Sequence, residues 1–303
     1  MKSRPEPKTI AAIALTLVLW ASAFAGIKVG LTGYGPGELA LLRFLAASVV
    51  LGAYAVAVRM KSPARRDLPV LFLAGLLGVT IYHVALNTGE RTVSAGAASL
   101  IVAAGPVFTA LMSRAFLGER ITRLGWVGVA VSFFGVALIA FGESVGDFRL
   151  ETGALFVLIS ALSTAGYFVV SKRLLERYGS LEFTSYMIWA GTIPLLLWGP
   201  GLVRELPAAP VSATLAVVYL GVFPAAIAYL AWSYALKRMP ATVLSTTLNL
   251  SPLIAILLAW LLIAEVPAPI SLVGGAIAMA GVVIMTLRGH QEPIAQEGSE
   301  VPL

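Results

Sequence analysis

The sequence predicts an all-α polytopic membrane protein, with ten transmembrane helices arranged as two inverted five-helix repeats around a central cavity. Three observations predict it. Of the 303 residues, 59 % are apolar and only 12 % are charged, about half the charge that a water-soluble domain carries to keep its surface wet. Ten apolar runs each come close to the ~20 residues that a helix needs to cross a bilayer core. The basic residues between the runs fall in an alternating pattern, dense on one side and sparse on the other.

In chain order, the first run, 9–28, follows Lys2, Arg4 and Lys8 and ends at Lys28. Its Ala21-Ser22-Ala23 imitates the cleavage site of a secretory signal, but the run has an internal partner later in the chain that cannot be a signal. The second run, 38–58, holds Arg43 and returns to Arg59, Lys61, Arg65 and Arg66. The third, 68–88, leads to Arg91, and the fourth, 93–113, leads to Arg114, Arg120 and Arg123. The fifth is 123–142. Arg149 precedes the sixth, 151–171, which ends at Lys172, Arg173 and Arg177. The seventh, 181–199, leads to Arg204, the eighth, 211–236, to Lys237 and Arg238, and the ninth and tenth are 241–263 and 268–287, before Arg288. With the N-terminus inside, sixteen Lys and Arg lie on the cytoplasmic side, against Lys28, Arg91, Arg149 and Arg204 opposite. One missing span would scramble this split. An even count returns both termini to the cytoplasm of a bacterial inner membrane.

Composition also excludes chemistry. With no cysteine and only His83 and His290, disulfides, thiolate sites and metal clusters are not expected, and no cofactor is implied. The net charge of +6 is scattered over loops rather than gathered on one surface, so nucleic acid is not an expected partner. The expected partners are the lipid bilayer and a small-molecule substrate. Oligomeric state is open, with a monomer sufficient.

The chain is written twice. At an offset of 144 positions Phe24 meets Phe168, Lys28 meets Lys172 and Glu38 meets Glu182; at 146, Gly105-Pro106 meets Ser251-Pro252, Glu119 meets Glu265, Gly128 meets Gly274 and Gly135 meets Gly281. The organisation expected is a tail over 1–8, repeats over 9–142 and 151–287, and a polar tail over 288–303. Five crossings per copy is an odd number, so the second copy enters the membrane from the opposite side. Inverted repeats are a recurring build of secondary transporters, in which exchanging the shapes of the halves opens one site to either side in turn.

The same residues carry a likeness. Leu19-Trp20 with Phe24 and Lys28, Glu38 followed by Arg43-Phe44, Gly105-Pro106, and Leu117-Gly118-Glu119-Arg120 leading into Trp126-Val127-Gly128 and Gly135-Val136 resemble the drug/metabolite transporter superfamily, in its duplicated EamA-type form. The likeness covers nearly the whole chain. In the second half, Ala264-Glu265-Val266-Pro267 stands where Gly-Glu-Arg is expected and Thr164 stands opposite Trp20, so the halves have specialised. The resemblance implies export of small organic solutes, and it is strongest to the aromatic amino acid exporter group.

Candidate substrate-binding residues follow from polarity at midplane depth. Pro106 and Pro252 fall inside spans four and nine and are expected to break them, since proline removes a backbone hydrogen bond and opposes the preceding turn. Such breaks are tolerated where freed carbonyls face protein or a wet cavity. Around them lie Ser94 and Ser99, and Thr242, Ser245, Thr246, Thr247, Asn249 and Ser251. Ser245 and Asn249 share a helix face, where a hydroxyl and an amide can bind a carboxylate or an ammonium; equally, such groups hydrogen-bond between packed helices. In span three Tyr82, His83 and Asn87 put an aromatic, a titratable ring and an amide within one and a half turns. His83 either lines a cavity or packs as a neutral ring. Trp20, Tyr167, Tyr229, Trp232 and Tyr234 supply aromatics from three other spans, whereas Tyr34, Tyr178 and Trp198 are expected at the membrane interfaces.

Arg43 is expected to snorkel or to pair with Glu38, and no intramembrane carboxylate is expected. That leaves a neutral, aromatic path suited to amino acids or lipophilic metabolites. It points to a facilitator or exchanger driven by the substrate gradient, with His83 or a terminal carboxylate as the sole candidates for coupling to protons. Glu119 and Glu265 are expected to cap the helices that follow them. The glycines of spans five and ten fit either an internal seam or a dimer contact. A serine–His83 dyad is the basis of an alternative intramembrane enzyme reading, with neither acidic partner nor metal cluster to support it.

Overall fold

The computed structural model describes residues 6–117, 120–142, 151–236, 238, 247–288 and 290–291. These form helices α1 (Pro7–Gly30), α2 (Pro36–Ala57), α3 (Arg65–Gly89), α4 (Ala95–Val102 continued by Gly105–Leu117), α5 (Arg123–Gly142), α6 (Thr152–Arg177), α7 (Ser180–Glu205), α8 (Val211–Ala235), α9 (Leu248–Ile263) and α10 (Pro269–Arg288). Of these, α1 to α8 are long and apolar enough to cross a membrane, and α9 and α10 are shorter apolar helices among the described residues. Two residues on each side, Arg120–Ile121 and His290–Gln291, pair antiparallel and tie the chain after α4 to the chain after α10. This is the end at which α1 begins and α10 ends, called here the terminal end; the other is the far end.

Prolines punctuate the helix starts. Pro7, Pro36, Pro69, Pro252 and Pro269 each occupy the first turn of an α-helical stretch, Pro69 and Pro252 after the short tight turns that open α3 and α9, where the missing N–H would have no intrahelical partner and the fixed φ suits a helix. The seventh run extends past its expected end at 199: a short tight turn at Leu196–Trp198 is followed by a further helical stretch, Gly199–Glu205. Gly199-Pro200-Gly201 reads locally as a terminator, yet Pro200 sits at the start of that stretch, where proline is tolerated.

Besides α7, four helices are interrupted. In α4 the chain leaves helical form at Ala103–Ala104, and Pro106 opens the second stretch. In α9 a tight turn at Leu248–Leu250 precedes Pro252. Wide π-type turns occupy Leu76–Ile81 in α3 and Gly221–Ile227 in α8, the second containing Pro224. Each wide turn is served by a side chain from a packed neighbour: Ser163 of α6 donates to the Leu77 carbonyl at 2.7 Å, and the Trp20 indole of α1 donates to the Pro224 carbonyl at 3.1 Å. Backbone groups loosened inside an apolar bundle thus find the partners they require.

The packing keeps its form when the halves are exchanged. Helix α1 packs on α8 and α9, as α6 packs on α3 and α4; α2 lies on α7 and α8, as α7 lies on α2 and α3; α5 pairs with α10. At two of these crossings glycines allow backbone contact. Gly75 of α3 meets the Gly191 backbone of α7, and Gly221 of α8 meets the Arg43 carbonyl of α2. The glycines of α5 and α10 form an internal seam: a Cβ on Gly128 would lie 2.7 Å from the Gly281 carbonyl oxygen. Large apolar side chains such as Val49, Phe134, Leu197 and Trp260 point outward and are exposed, as a lipid-facing surface requires.

Candidate functional site

Aromatic rings from four helices converge inside the bundle. Trp20 of α1 lies 5.3 Å from Tyr229 and 5.2 Å from Trp232 of α8, centroid to centroid. Tyr82 of α3 and Tyr167 of α6 are both within electrostatic range of Tyr229, and Tyr167 stacks on Phe183 of α7 at 6.3 Å. A close approach makes this possible, because Gly78 leaves no Cβ between α3 and the Tyr167 ring. Trp20, Tyr82, Tyr167 and Tyr229 are each half-buried, and all four lie well inside their helices.

His83 adjoins this group on its buried side. It is 3 % exposed, and its ring lies 4.6 Å from both Tyr82 and Phe44. Its Nδ1 is 3.2 Å from Nη1 of Arg43; since a guanidinium only donates, Nδ1 is the acceptor and the ring is the tautomer with its proton on Nε2. That Nε2 has no partner.

Arg43 neither snorkels nor pairs with Glu38. It is 2 % exposed, sits 5.6 Å from the centre of the Phe44 ring, and its Nε is unpartnered. Among the described residues no carboxylate stands at ion-pair distance from it. The helix explains why. Arg43 lies about two turns into α2, on the face against which Gly221 of α8 makes backbone contact, so its side chain starts too deep to reach the membrane surface. Glu38 is one turn nearer the far end, beside Gly35 and Gly201.

A carboxylate just beyond a span is buried as well. Glu90, one residue beyond α3, is 0 % exposed and neither of its oxygens has a hydrogen-bond partner. Hydropathy placed it in a loop, but the end of α3 is sunk against α6, where Gly89 packs on Gly153 and Val157. The charged groups acting on Glu90 are Lys28 of α1, Glu265 after α9 and Arg43 of α2. Burial pushes the Glu90 carboxyl well above the usual carboxylate range; Lys28 and Arg43 oppose that push and Glu265 adds to it. Lys28 itself is held by Glu265 at 3.3 Å. The Ala95 N–H at the start of α4 donates to the other oxygen of Glu265 at 3.4 Å. Glu265 therefore joins α1 to α4 rather than capping α10, whose first residue lies four positions further on.

The other sequence-derived candidates are dispersed. Asn87 is fully buried, and its Nδ2 donates to the Pro36 carbonyl at 2.9 Å; it fastens α3 to the start of α2. Ser94 caps α4 by accepting from the Ala97 N–H, and Ser99 donates to the Gly96 carbonyl, so both serve backbone. Asn249 is half-buried in the turn before Pro252. Ser245, Thr242, Thr246 and Glu119 lie outside the described residues. Tyr34 is not an interface anchor: it is buried and shares a hydrogen bond with Thr214 at 2.6 Å.

Tyr234 belongs elsewhere. With Val50, Tyr54, Ser180, Leu181 and Arg238 it lines a cavity of about 440 Å³ between α2, α7 and α8 at the terminal end, where the Arg238 guanidinium lies 3.5 Å from its ring centre. Close by, Asp67 accepts from Arg177 and from Tyr178, each at 2.8 Å, and the Tyr186 hydroxyl donates to the Lys61 carbonyl. These bonds link the start of α3 and the segment before it to α6 and α7. The far end has its own links: Lys28 to Glu265, Tyr34 to Thr214, and the Gly35 N–H to Glu205 at 3.0 Å.

A bundle with lipid-facing apolar helices, interrupted spans and buried polar groups gathered at its centre is the build of a membrane transporter. The chain belongs to the EamA-like transporter family, whose model matches it over residues 7–141 and again over 151–287. It is 44 % identical over 275 residues to the "Uncharacterized transporter YdfC" of Bacillus subtilis, covering 90 % of this chain and 89 % of the relative. It is 43 % identical over 281 residues to the "Probable terminal-alkyne amino-acid exporter" of Streptantibioticus cattleyicolor, covering 93 % and 94 %. The "Uncharacterized inner membrane transporter YedA" of Escherichia coli K12 is 29 % identical over 278 residues, covering 91 % and 90 %. A solved structure described as "Crystal structure of protein" has the same fold, with a TM-score of 0.62 at 22 % identity over 93 % of this chain and 98 % of that one.

Proposed function

We propose that the protein is a secondary carrier that exports or exchanges small organic solutes, amino acids including aromatic ones, across the bacterial inner membrane by alternating access. The observation that carries this reading is the convergence of Trp20, Tyr82, Tyr167 and Tyr229 from α1, α3, α6 and α8, two helices from each half, beside a buried guanidinium. Flat rings supply contact area for an aromatic or aliphatic side chain, and cationic and polar groups at one side fix a polar head. The amino-acid exporter among the relatives supports the same substrate class.

Ten crossings in two inverted repeats agree with the exchange of packing partners between halves and with the paired interruptions at Pro106 and Pro252 and at the wide turns of α3 and α8. Other lipophilic metabolites form the alternative substrate class, since the rings discriminate by shape and apolarity. An intramembrane enzyme is disfavoured because the His83 Nδ1 is engaged by Arg43 rather than by a serine.

The test is flux in liposomes that contain this protein alone. Radiolabelled phenylalanine is expected to equilibrate across the membrane, with other amino acids and related metabolites competing. Absence of protein-dependent flux for every amino acid tested would sink the substrate class.

A further inference from the structure

Arg43 and Glu90 are two buried, ionisable side chains of opposite type, in electrostatic range and not in contact. Their hydrogen-bonding capacity is unfilled at Nε of Arg43 and at both oxygens of Glu90. A guanidinium in a low-dielectric interior is expensive unless a negative charge answers it, and the side-chain hydrogen-bond partner that Arg43 has among the described residues is the neutral His83. Glu90 cannot serve as an ionised partner where it stands, because a carboxylate with no hydrogen bond bears the full cost of desolvation. The ion pair nearby is already complete, with Lys28 held by Glu265. The centre of the bundle thus carries one uncompensated positive charge beside the half-buried rings of Tyr82 and Tyr229.

We infer that Arg43 is the receptor for the carboxylate of the transported solute, and that Glu90 is its internal rival, protonated while the solute is bound and ionised when the site is released. This rests on the reading of the protein as a carrier of amino acids. Two negative charges cannot both be satisfied by the single guanidinium, so carboxylate binding and ionisation of Glu90 exclude one another. The groups that set the balance are Lys28 from α1, Glu265 following α9, Arg43 from α2 and Tyr82 from the same helix as Glu90. Glu90 is in electrostatic range of Lys28 and Glu265, which form one of the links at the far end. When these part, water reaches the carboxyl, stabilises its ionised form and weakens the hold of Arg43 on the solute at the moment of exit. Closure returns the proton from the same side, so the cycle needs no net movement of protons across the membrane.

The experiment measures binding of 3-phenylpropionate and of its neutral isostere 3-phenylpropanamide to the full chain in detergent, by calorimetry between pH 6 and 9. Over that range neither probe changes its own charge. The acid is expected to bind roughly 10- to 100-fold more tightly than the amide, the range for a charge-assisted hydrogen bond. Its affinity is expected to fall as pH rises in the natural protein and to stay level in Glu90→Gln. Arg43→Gln should remove the preference for the acid; if that variant does not fold, the comparison of the two probes on the natural protein still decides. Equal affinity for acid and amide overturns the role of Arg43. A level affinity in the natural protein, or a slope that persists in Glu90→Gln, overturns the role of Glu90. Phenylalanine flux in liposomes without any preference for the acid overturns this inference alone, whereas tight binding of the acid without flux of any amino acid overturns the carrier reading.

Discussion

At the scale of single residues, the balance between burial and charge decides what each side chain does. Glu90 gives a stability prediction with a definite sign. Burial raises its affinity for a proton in the folded protein above that in the unfolded chain, so the folded state gains from the bound proton at low pH. That gain is present below the unfolded carboxyl range and is lost as pH rises through the folded one, by about 1.4 kcal/mol for each unit of separation. Thermal unfolding in detergent should therefore show the natural protein losing stability relative to Glu90→Gln, which has no proton to release, as pH rises above the ordinary carboxylate range. Parallel curves would mean that water reaches the carboxyl in the folded state. His83 illustrates the same balance. Its position inside an apolar run was legible from sequence, but its partner was not, because Arg43 stands forty positions away on another helix.

Secondary elements are held together by small residues where backbones touch. The seam of α5 and α10 depends on Gly128, Gly135, Gly274 and Gly281, each of which would place a Cβ against the partner's backbone. Backbone cannot rotate aside as a side chain can, so a larger residue must separate the helices. Gly135→Val is expected to destabilise the folded protein by about 1–3 kcal/mol, whereas Gly52→Val, with nothing within 4 Å of its Cβ position, should leave unfolding within about 0.5 kcal/mol of the natural protein. Denaturation of both variants in the same detergent checks the contrast. The seven-residue glycine spacing was visible in the sequence; whether it served one chain or two was not, since the same stripe suits either contact. The wide turn of α8 carried a signal in Pro224, while that of α3 has no proline and is recognisable only from its geometry.

For the molecule as a whole, orientation is the property to test. The chain has no cysteine, so single introduced cysteines report without background. Thr32, between α1 and α2 at the far end, and Ser180, at the start of α7 on the terminal-end cavity, fall after the first helix of each half. Thr32→Cys is expected to react with a membrane-impermeant maleimide added to intact cells, and Ser180→Cys only once the membrane is permeabilised. Reaction of both from the same side would remove the inverted arrangement and with it the two-sided cycle.

Apolar run length, loop charge and the doubled landmarks depend on local composition and order along the chain, which is why the helical membrane class and the membership of the family could be read from residues alone. The aromatic members Trp20, Tyr82, Tyr167 and Tyr229 were also legible, because rings at midplane depth in an apolar run stand out by type. Arg43 was misread and Glu90 passed over for a shared reason. Hydropathy measures a residue against its neighbours in sequence, and it takes a charge near the end of a run to be within reach of water. Burial depends instead on what other helices bring alongside, and only the tertiary packing of α8 on α2 and of α6 on the end of α3 takes both charges out of water and within range of each other.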